Sequence, residues 1–272
     1  MTTPTSGFGF AAAGAGAARG SRALVPPLVA FFGALAAWEL LVRLLGLKQF
    51  ILPRPLAIAE AWRTYLPELS AAAGYTLGEI LGGLAIGTAA GLLVGGLTAR
   101  FGLVRASLMP FAVAANSVPI IAFAPIFNNW FGLDSQFSKA MIASVLVFFP
   151  VMISTVRGLT TVDPAAIELM RAYATSELTV FRLLRIPNAL PFVFTSLKVA
   201  TTLATIGAIV AEYFGAPRIS LGQYIATYSS FLNFERSWAA IVFAAAIGIG
   251  LYLAVVLLER LVMPWGARSA DA

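Results

Sequence analysis

The sequence contains no cysteine and no histidine. Thiol nucleophiles, disulfides, cysteine-held iron–sulfur clusters, histidine-ligated haem and Ser-His-Asp triads are therefore excluded. Lysine is scarce: Lys48, Lys139 and Lys198 are followed by Gln, Ala and Val. A phosphate loop of the Gly-Lys-Ser/Thr kind needs a hydroxyl directly after its lysine to hold magnesium, and none of these has one. An ATP-driven process involving this chain would take its motor from a separate polypeptide. Charge is low as well, at 11% of residues, less than half the roughly 25% of soluble proteins. A membrane-embedded enzyme lacking His and Cys would need paired carboxylates, and the sequence shows no clear Asp/Glu dyad.

Apolar residues are abundant. They make up 60% of the 272 residues, and windows of roughly twenty recur, long enough to cross a bilayer core as helices. The expected fold class is all-α integral membrane. Six spans are predicted at about 24–46, 73–98, 108–130, 139–158, 190–212 and 237–260, which leaves no room for a second soluble domain. Residues 1–22 are rich in Gly, Ala, Ser and Thr and lack a continuous apolar core, so they read as a disordered cytoplasmic tail. Residues 23–272 read as one transmembrane domain whose first span starts near Pro26-Pro27.

The net charge of +6 could suggest nucleic acid, but the basic residues flank spans, as the positive-inside rule expects. With the N-terminus inside, Arg19, Arg22, Arg100, Arg105, Arg157, Arg171, Arg182, Arg185, Arg260 and Arg268 are cytoplasmic. Lys48, Arg54, Arg63, Lys139, Arg218 and Arg236 lie outside, with Arg43 near the outer boundary. The expected surroundings are membrane lipid, not nucleic acid.

Individual spans carry distinct patterns. Glu39 in the first is expected to face other helices. Between the first two, a short amphipathic helix with Trp62 and Tyr65 suits the outer headgroup region. The second span holds Gly74, Gly78, Gly82, Gly83, Gly87, Gly91, Gly95 and Gly96, a small-xxx-small spacing for close helix contact. The third combines Pro110, Pro119 and Pro125 with Asn116, Ser117, Asn128, Asn129 and Trp130. Such a segment is either an ordinary kinked helix or a broken one lining a translocation path; clustered amides at membrane depth favour the path wall. In the fifth span Thr201, Thr202 and Thr205 lie on one flank, where they back-bond to carbonyls or line a pore. Lys198 is placed to snorkel to the cytoplasmic surface. Glu212 falls near the outer boundary, where it would be hydrated or receive a solute.

The most informative stretch lies between the fourth and fifth spans, at 163–187. Asp163-Pro164 reads as a helix start, with Asp at the N-cap and Pro at the first helical position. Glu168, Arg171, Ala172 and Thr175 then share one helix face. Ser176 can cap a second short helix with Glu177 at its positive end. Leu178, Phe181 and Leu184 give that helix an apolar stripe, and Pro187 is expected to stop it. A polar, twice-capped hairpin between membrane spans implies that something docks on it.

This hairpin resembles the EAA loop of ABC importer permeases, whose pattern is E-A-A, three residues, G, nine residues, I-x-L-P. Glu168 matches the E, Leu169-Met170 replace A-A, Ala174 stands where Gly is usual, and Leu184, Ile186 and Pro187 occupy the I, L and P positions. More widely, Leu52-Pro53-Arg54-Pro55, Ser117-Val118-Pro119, Ala124-Pro125-Ile126, Trp130-Phe131-Gly132, Phe149-Pro150 and Ala211-Glu212 resemble the permeases of the nitrate, sulfonate and taurine importer group. Segments 125–132 and 185–191 look most like permeases for riboflavin or thiamine-precursor pyrimidines. The resemblance implies a type I permease fold in the bacterial cytoplasmic membrane, with no cofactor on this chain. It implies two ABC ATPase subunits that bind ATP and Mg, a second permease subunit forming a homodimer, an external substrate-binding protein and a small-molecule solute. Glu168, Arg171, Ala172, Ala174, Thr175, Leu184, Ile186 and Pro187 become the ATPase-coupling residues. Asn116, Ser117, Asn128, Asn129, Trp130, Thr201, Thr202 and Glu212 become the path.

A secondary transporter or channel is the alternative reading. It would need mid-membrane coupling-ion carboxylates or an internal repeat, and Glu39 and Glu79 are its sole candidates. Amides, hydroxyls and aromatics along the path suit a neutral planar heterocycle, since a strongly anionic solute calls for Arg or helix N-termini.

Overall fold

The computed structural model describes residues 12–216 and 219–264, with side chains from Val25 onward except at Ile120 and Ile121. The described residues form eleven α-helices and no strand. In chain order they are α1 (Ala12–Leu44), α2 (Pro55–Thr64), α3 (Leu66–Arg100), α4 (Gly102–Ala115), α5 (Ala124–Phe131), α6 (Gln136–Thr160), α7 (Pro164–Ala172), α8 (Glu177–Val180), α9 (Ile186–Tyr213), α10 (Leu221–Ser230) and α11 (Phe234–Val262). A 3-10 turn (Ile120–Phe123) precedes α5, and a π-turn (Phe181–Arg185) joins α8 to α9.

Among the described residues, five segments are long and apolar enough to cross a membrane: Val25–Leu44, Leu66–Arg100, Gln136–Thr160, Glu177–Tyr213 and Phe234–Val262. The expected third span, 108–130, is not one helix. The 14-residue α4 is roughly 21 Å long, short of the roughly 30 Å hydrocarbon core. The chain leaves helical geometry at 116–119 and restarts with Pro125 in the first turn of α5. Pro110 is absorbed inside α4, so the break belongs to Asn116–Pro119.

Other boundaries moved for local reasons. Residues 1–11 of the expected tail lie outside the described residues, as do Arg218 and Arg268, whereas α1 already runs from Ala12, ahead of Pro26-Pro27; alanine, abundant there, is the strongest helix former. The short helix bearing Trp62 is α2, with Pro55 in its first turn, and Tyr65 alone links it to α3. The second span starts at Leu66 instead of 73, because Pro67 and Glu68 suit a helix's first turn. Pro187 does not stop a helix. The Ile186 N–H reaches the Phe181 carbonyl five residues back, and this wide turn carries the backbone through Pro187 into α9.

Helix α6 lies at the centre, between α3 and α9. The α3 glycines at four-residue spacing face it. A Cβ added at Gly83, Gly87, Gly91 or Gly95 would sit 2.5, 2.4, 2.9 or 2.8 Å from Ala143 Cβ, the Ser144 carbonyl, Val151 Cβ and Thr155 Cβ. From the other side α9 contributes buried Ala200, Ala204, Ala208 and Ala211, and a Cβ at Gly158 would meet Ala189 Cα at 2.7 Å. In lipid, where apolar surfaces gain little from leaving water, such backbone proximity supplies the packing that holds helices together.

Helix α1 is peripheral. Its Glu39 accepts from Arg43 Nε at 2.7 Å and from the Leu56 N–H at 3.3 Å, tying it to α2, while Trp38 packs edge-on against Trp238 at 5.3 Å. At that same end of the molecule Arg236 stands over the rings of Tyr65 and Tyr228 at 3.4 and 4.7 Å, fastening α11 to the α2–α3 junction and α10.

Candidate functional site

The loop 161–187 forms the hairpin expected from its caps. Asp163 accepts from the Ala165 N–H at 2.9 Å, and Ser176 accepts from the Thr179 N–H at 3.3 Å. Between these caps α7 ends in a Schellman turn. The Thr175 N–H bonds the Met170 carbonyl at 3.2 Å and the Ala174 N–H bonds the Arg171 carbonyl at 2.9 Å, with the Thr175 hydroxyl on the same Met170 oxygen at 2.6 Å. The turn needs a left-handed residue, and Ala174 supplies it at φ +51°. Glycine is the usual occupant of that place because a Cβ crowds the following carbonyl.

Nothing in α7 is buried. Glu168, Arg171, Ala172 and Ala174 are exposed, and Thr175 is half-buried. Three apolar side chains share this surface: Leu169, Leu178 and Tyr173, the last of which no sequence motif singles out and which is 74% exposed. A hairpin projecting apolar groups beside free charges has the composition of a docking surface.

The return limb is fastened to the bundle. Asn188 Nδ2 donates to the carbonyls of Gly158 and Thr161 at 2.8 and 2.9 Å, and Arg185 Nη1 reaches the Leu159 carbonyl at 3.4 Å. These carbonyls sit at the C-terminal end of α6, where helical partners run out. Leu184 and Pro187 are half-buried beside this anchor, while Ile186 is 39% exposed. A cavity of about 500 Å³ lies under the hairpin, lined by Gly96, Arg100, Leu159, Leu178, Phe181 and Arg185.

The expected path residues divide into two sets. Asn116, Ser117, Asn129, Trp130 and Thr202 are exposed on the single subunit, Trp130 at 68%. Trp130 shares an aromatic crevice of about 440 Å³ with Phe123, Phe127 and Phe149, beside the break in the third segment. Thr202 opens onto a second, apolar crevice of about 600 Å³ between α9 and α11 that includes Tyr252.

Asn128, Thr201 and Glu212 are interior instead. Asn128 is 7% exposed and accepts from the Ser138 hydroxyl at 2.8 Å, bracing α5 on α6. Thr201 bonds back to the Lys198 carbonyl at 2.8 Å, and Thr205 to that of Thr201 at 2.8 Å, the local alternative to pore lining. Glu212 is fully buried, not at a hydrated boundary. It accepts from the Thr76 hydroxyl at 2.7 Å and the Gly222 N–H at 2.7 Å, because the N-terminus of α10 folds back onto it. Lys198 pairs with Glu259 in the last turn of α11 at 2.7 Å.

Residues 87–264 match the family described as the inner membrane component of binding-protein-dependent transport systems. The formylaminopyrimidine transport permease protein ThiX of Halalkalibacterium halodurans is 31% identical over 259 residues, covering 92% of this chain and 99% of the relative. The riboflavin transport system permease protein RibX of Chloroflexus aurantiacus is 30% identical over 243 residues, covering 86% and 87%. The taurine transport system permease protein TauC of Escherichia coli is 26% identical over 213 residues, covering 78% and 74%. Among solved structures, a chain of an amino acid ABC transporter superposes with a TM-score of 0.56 at 17% identity, over 73% of this chain and 94% of that one; this likeness concerns the fold, a type I permease arrangement of helices. The protein therefore belongs to the binding-protein-dependent transport family as an inner-membrane ABC importer permease, a multi-pass protein of the cytoplasmic membrane.

Proposed function

We propose that two copies of this chain form the translocation path of an ATP-driven importer. Their hairpins 163–187 seat in two separate ATPase subunits that bind ATP and magnesium, and an external binding protein delivers the solute. The observation that carries the path assignment is the broken third segment. Non-helical backbone at 116–119, with Asn116 and Ser117 exposed beside it, is tolerated at membrane depth only against protein or a water-filled cavity. Asn129 and Trp130 extend that surface, and Thr202 contributes from the separate crevice between α9 and α11. Asn128, Thr201 and Glu212 act as internal braces.

Glu168 and Arg171 make the polar contacts with the ATPase, and Leu169, Tyr173 and Leu178 the apolar ones. Closing of the ATPase dimer moves both hairpins. Because Asn188 and Arg185 fasten each hairpin to α6, that movement passes to the α3–α6–α9 bundle and rocks it between inward- and outward-facing states.

The solute is a small neutral planar heterocycle, a riboflavin or a thiamine-precursor pyrimidine. Two observations support this choice over a sulfonate, taurine or nitrate. The crevice beside Trp130 offers aromatic faces and no cationic side chain, and the relatives ThiX and RibX carry formylaminopyrimidine and riboflavin in their names. The test is uptake into proteoliposomes holding this permease and the ATPase from its gene cluster, with the neighbouring binding protein outside. Riboflavin, formylaminopyrimidine, taurine and nitrate are offered in turn. Saturable, ATP-dependent uptake of one heterocycle is the expected result. Uptake of taurine or nitrate alone overturns the solute assignment, and uptake without an ATPase overturns the importer reading in favour of a secondary transporter.

A further inference from the structure

Three ionisable side chains, one each from α3, α6 and α9, are buried together where the α10 N-terminus meets the bundle. Glu79 is 1% exposed, and Glu212 and Lys139 are fully buried. Glu79 and Glu212 lie within each other's field, and Lys139 within the field of both. Their surroundings differ. Glu212 is offered donors by the Thr76 hydroxyl and the Gly222 N–H, and Thr76 in turn accepts from the Leu221 N–H at 3.0 Å. Lys139 directs its ammonium to the Leu133 carbonyl. Neither carboxyl oxygen of Glu79 receives a hydrogen bond from a neighbouring donor, and the one side chain it faces at hydrogen-bonding range is the Glu212 carboxyl.

Two carboxylates and one ammonium leave this interior with one uncompensated negative charge, and an unpaired buried charge is among the least tolerated arrangements in a folded protein. The remaining charged or titratable groups that act on the cluster do not remove it. Asp134 in the exposed loop before α6 would add negative charge, and Tyr75 on α3 is a neutral phenol. Helices α5 and α10 carry no charged side chain. An acidic proton restores neutrality, and the pattern of donors says where it sits. Glu212 already collects donors as a carboxylate does, whereas Glu79 has none and is free to donate.

We infer that Glu79 and Glu212 bind one proton between them, carried on Glu79 and hydrogen-bonded to Glu212. The proton comes from water and returns there when the pair separates; no bond other than O–H is made or broken. With Lys139 the protonated pair forms a neutral latch joining three bundle helices to α10. The latch is also tight: a Cβ at Gly222 would meet the Ile209 carbonyl at 2.3 Å and Glu212 Cβ at 2.6 Å, so α10 does not pull away without uncovering Glu212. Separation of α10 releases the proton above the ordinary carboxyl range, and its equilibrium then rises about tenfold per pH unit.

Infrared difference spectroscopy of the purified full-length permease tests this directly. At about pH 8, well above the ordinary glutamate value of about 4.3, a protonated carboxylic C=O band is expected; it shifts in heavy water and disappears in Glu79→Gln. Its absence from the unsubstituted protein overturns the inference, as does its persistence in a folded Glu79→Gln. The second measurement is thermal unfolding between about pH 6 and about pH 9 in sodium or in choline salts. The midpoint should fall with rising pH in the unsubstituted protein and be flatter in Glu79→Gln. A midpoint raised by sodium and indifferent to pH would mean that a metal cation, not a proton, balances the charge, and would overturn the inference.

Discussion

Ala174 offers the sharpest test of how the hairpin is built. Its left-handed backbone, φ +51°, costs a side-chain-bearing residue about 1–2 kcal/mol. Ala174→Gly removes that strain but frees the opened chain, returning about 0.5–1 kcal/mol. The net stabilisation is about 0.5–1 kcal/mol, which slows local opening roughly two- to fivefold. Ala174→Pro acts in the opposite sense: it forces φ to about −65° and removes the N–H bonded to Arg171. Amide hydrogen exchange at Thr175, whose N–H closes the turn on Met170, reads both effects. Uptake per ATP hydrolysed in proteoliposomes reads their consequence: Ala174→Gly keeps coupling and Ala174→Pro loses it while the protein still inserts. Faster exchange at Thr175 in Ala174→Gly, or unchanged exchange in Ala174→Pro, would refute the turn as described.

Further substitutions probe other parts of the account. Gly87→Val pushes a Cβ into the Ser144 carbonyl and should destabilise by about 1–3 kcal/mol or more, seen as a lower unfolding midpoint in detergent; Gly96→Val, with open space beside it, should not. Asn188→Ala leaves the Gly158 and Thr161 carbonyls without its amide, a loss of about 1–3 kcal/mol; ATP hydrolysed per solute should rise with the ATPase still bound. Asn128→Leu strands the Ser138 hydroxyl and should lower both stability and uptake, while ATPase assembly in a pull-down stays intact. Because the chain has no cysteine, Thr202→Cys and Thr201→Cys give single thiols; a membrane-impermeant maleimide should label the exposed first and not the buried second.

The hairpin was legible because its signals are local. Asp163, Ser176 and the Glu168–Pro187 spacing act over a few residues, and the Asp163 and Ser176 caps bond as their types require. The glycine register of α3 was equally readable, since four-residue spacing fixes a helix face. Pro187 misled because its effect depends on the preceding turn, and a π-turn absorbs it. Glu212 misled for a different reason. Its partners Thr76 and Gly222 come from other elements, Thr76 being 136 positions away in the chain, so only the fold turns an apparent boundary residue into an interior one. Glu79 was visible as a lone carboxylate in an apolar span, but its pairing with Glu212 was not, since no spacing rule connects α3 to α9. Leu178 was legible only as part of an apolar stripe, and Tyr173 carries no local signal; what marks both as docking groups is their exposure.

The most direct test of the central claim is a site-specific cross-link between the hairpin and the ATPase. Ala172→Cys places a single thiol on the exposed face of α7, to be challenged with a short bifunctional reagent in membranes co-expressing the clustered ATPase and binding protein. The account predicts a cross-linked permease–ATPase species whose yield changes when ATP is added, and none from Thr201→Cys inside the bundle. An Ala172→Cys thiol that modifies freely yet never links to the ATPase, in membranes that still take up solute with ATP, would contradict it.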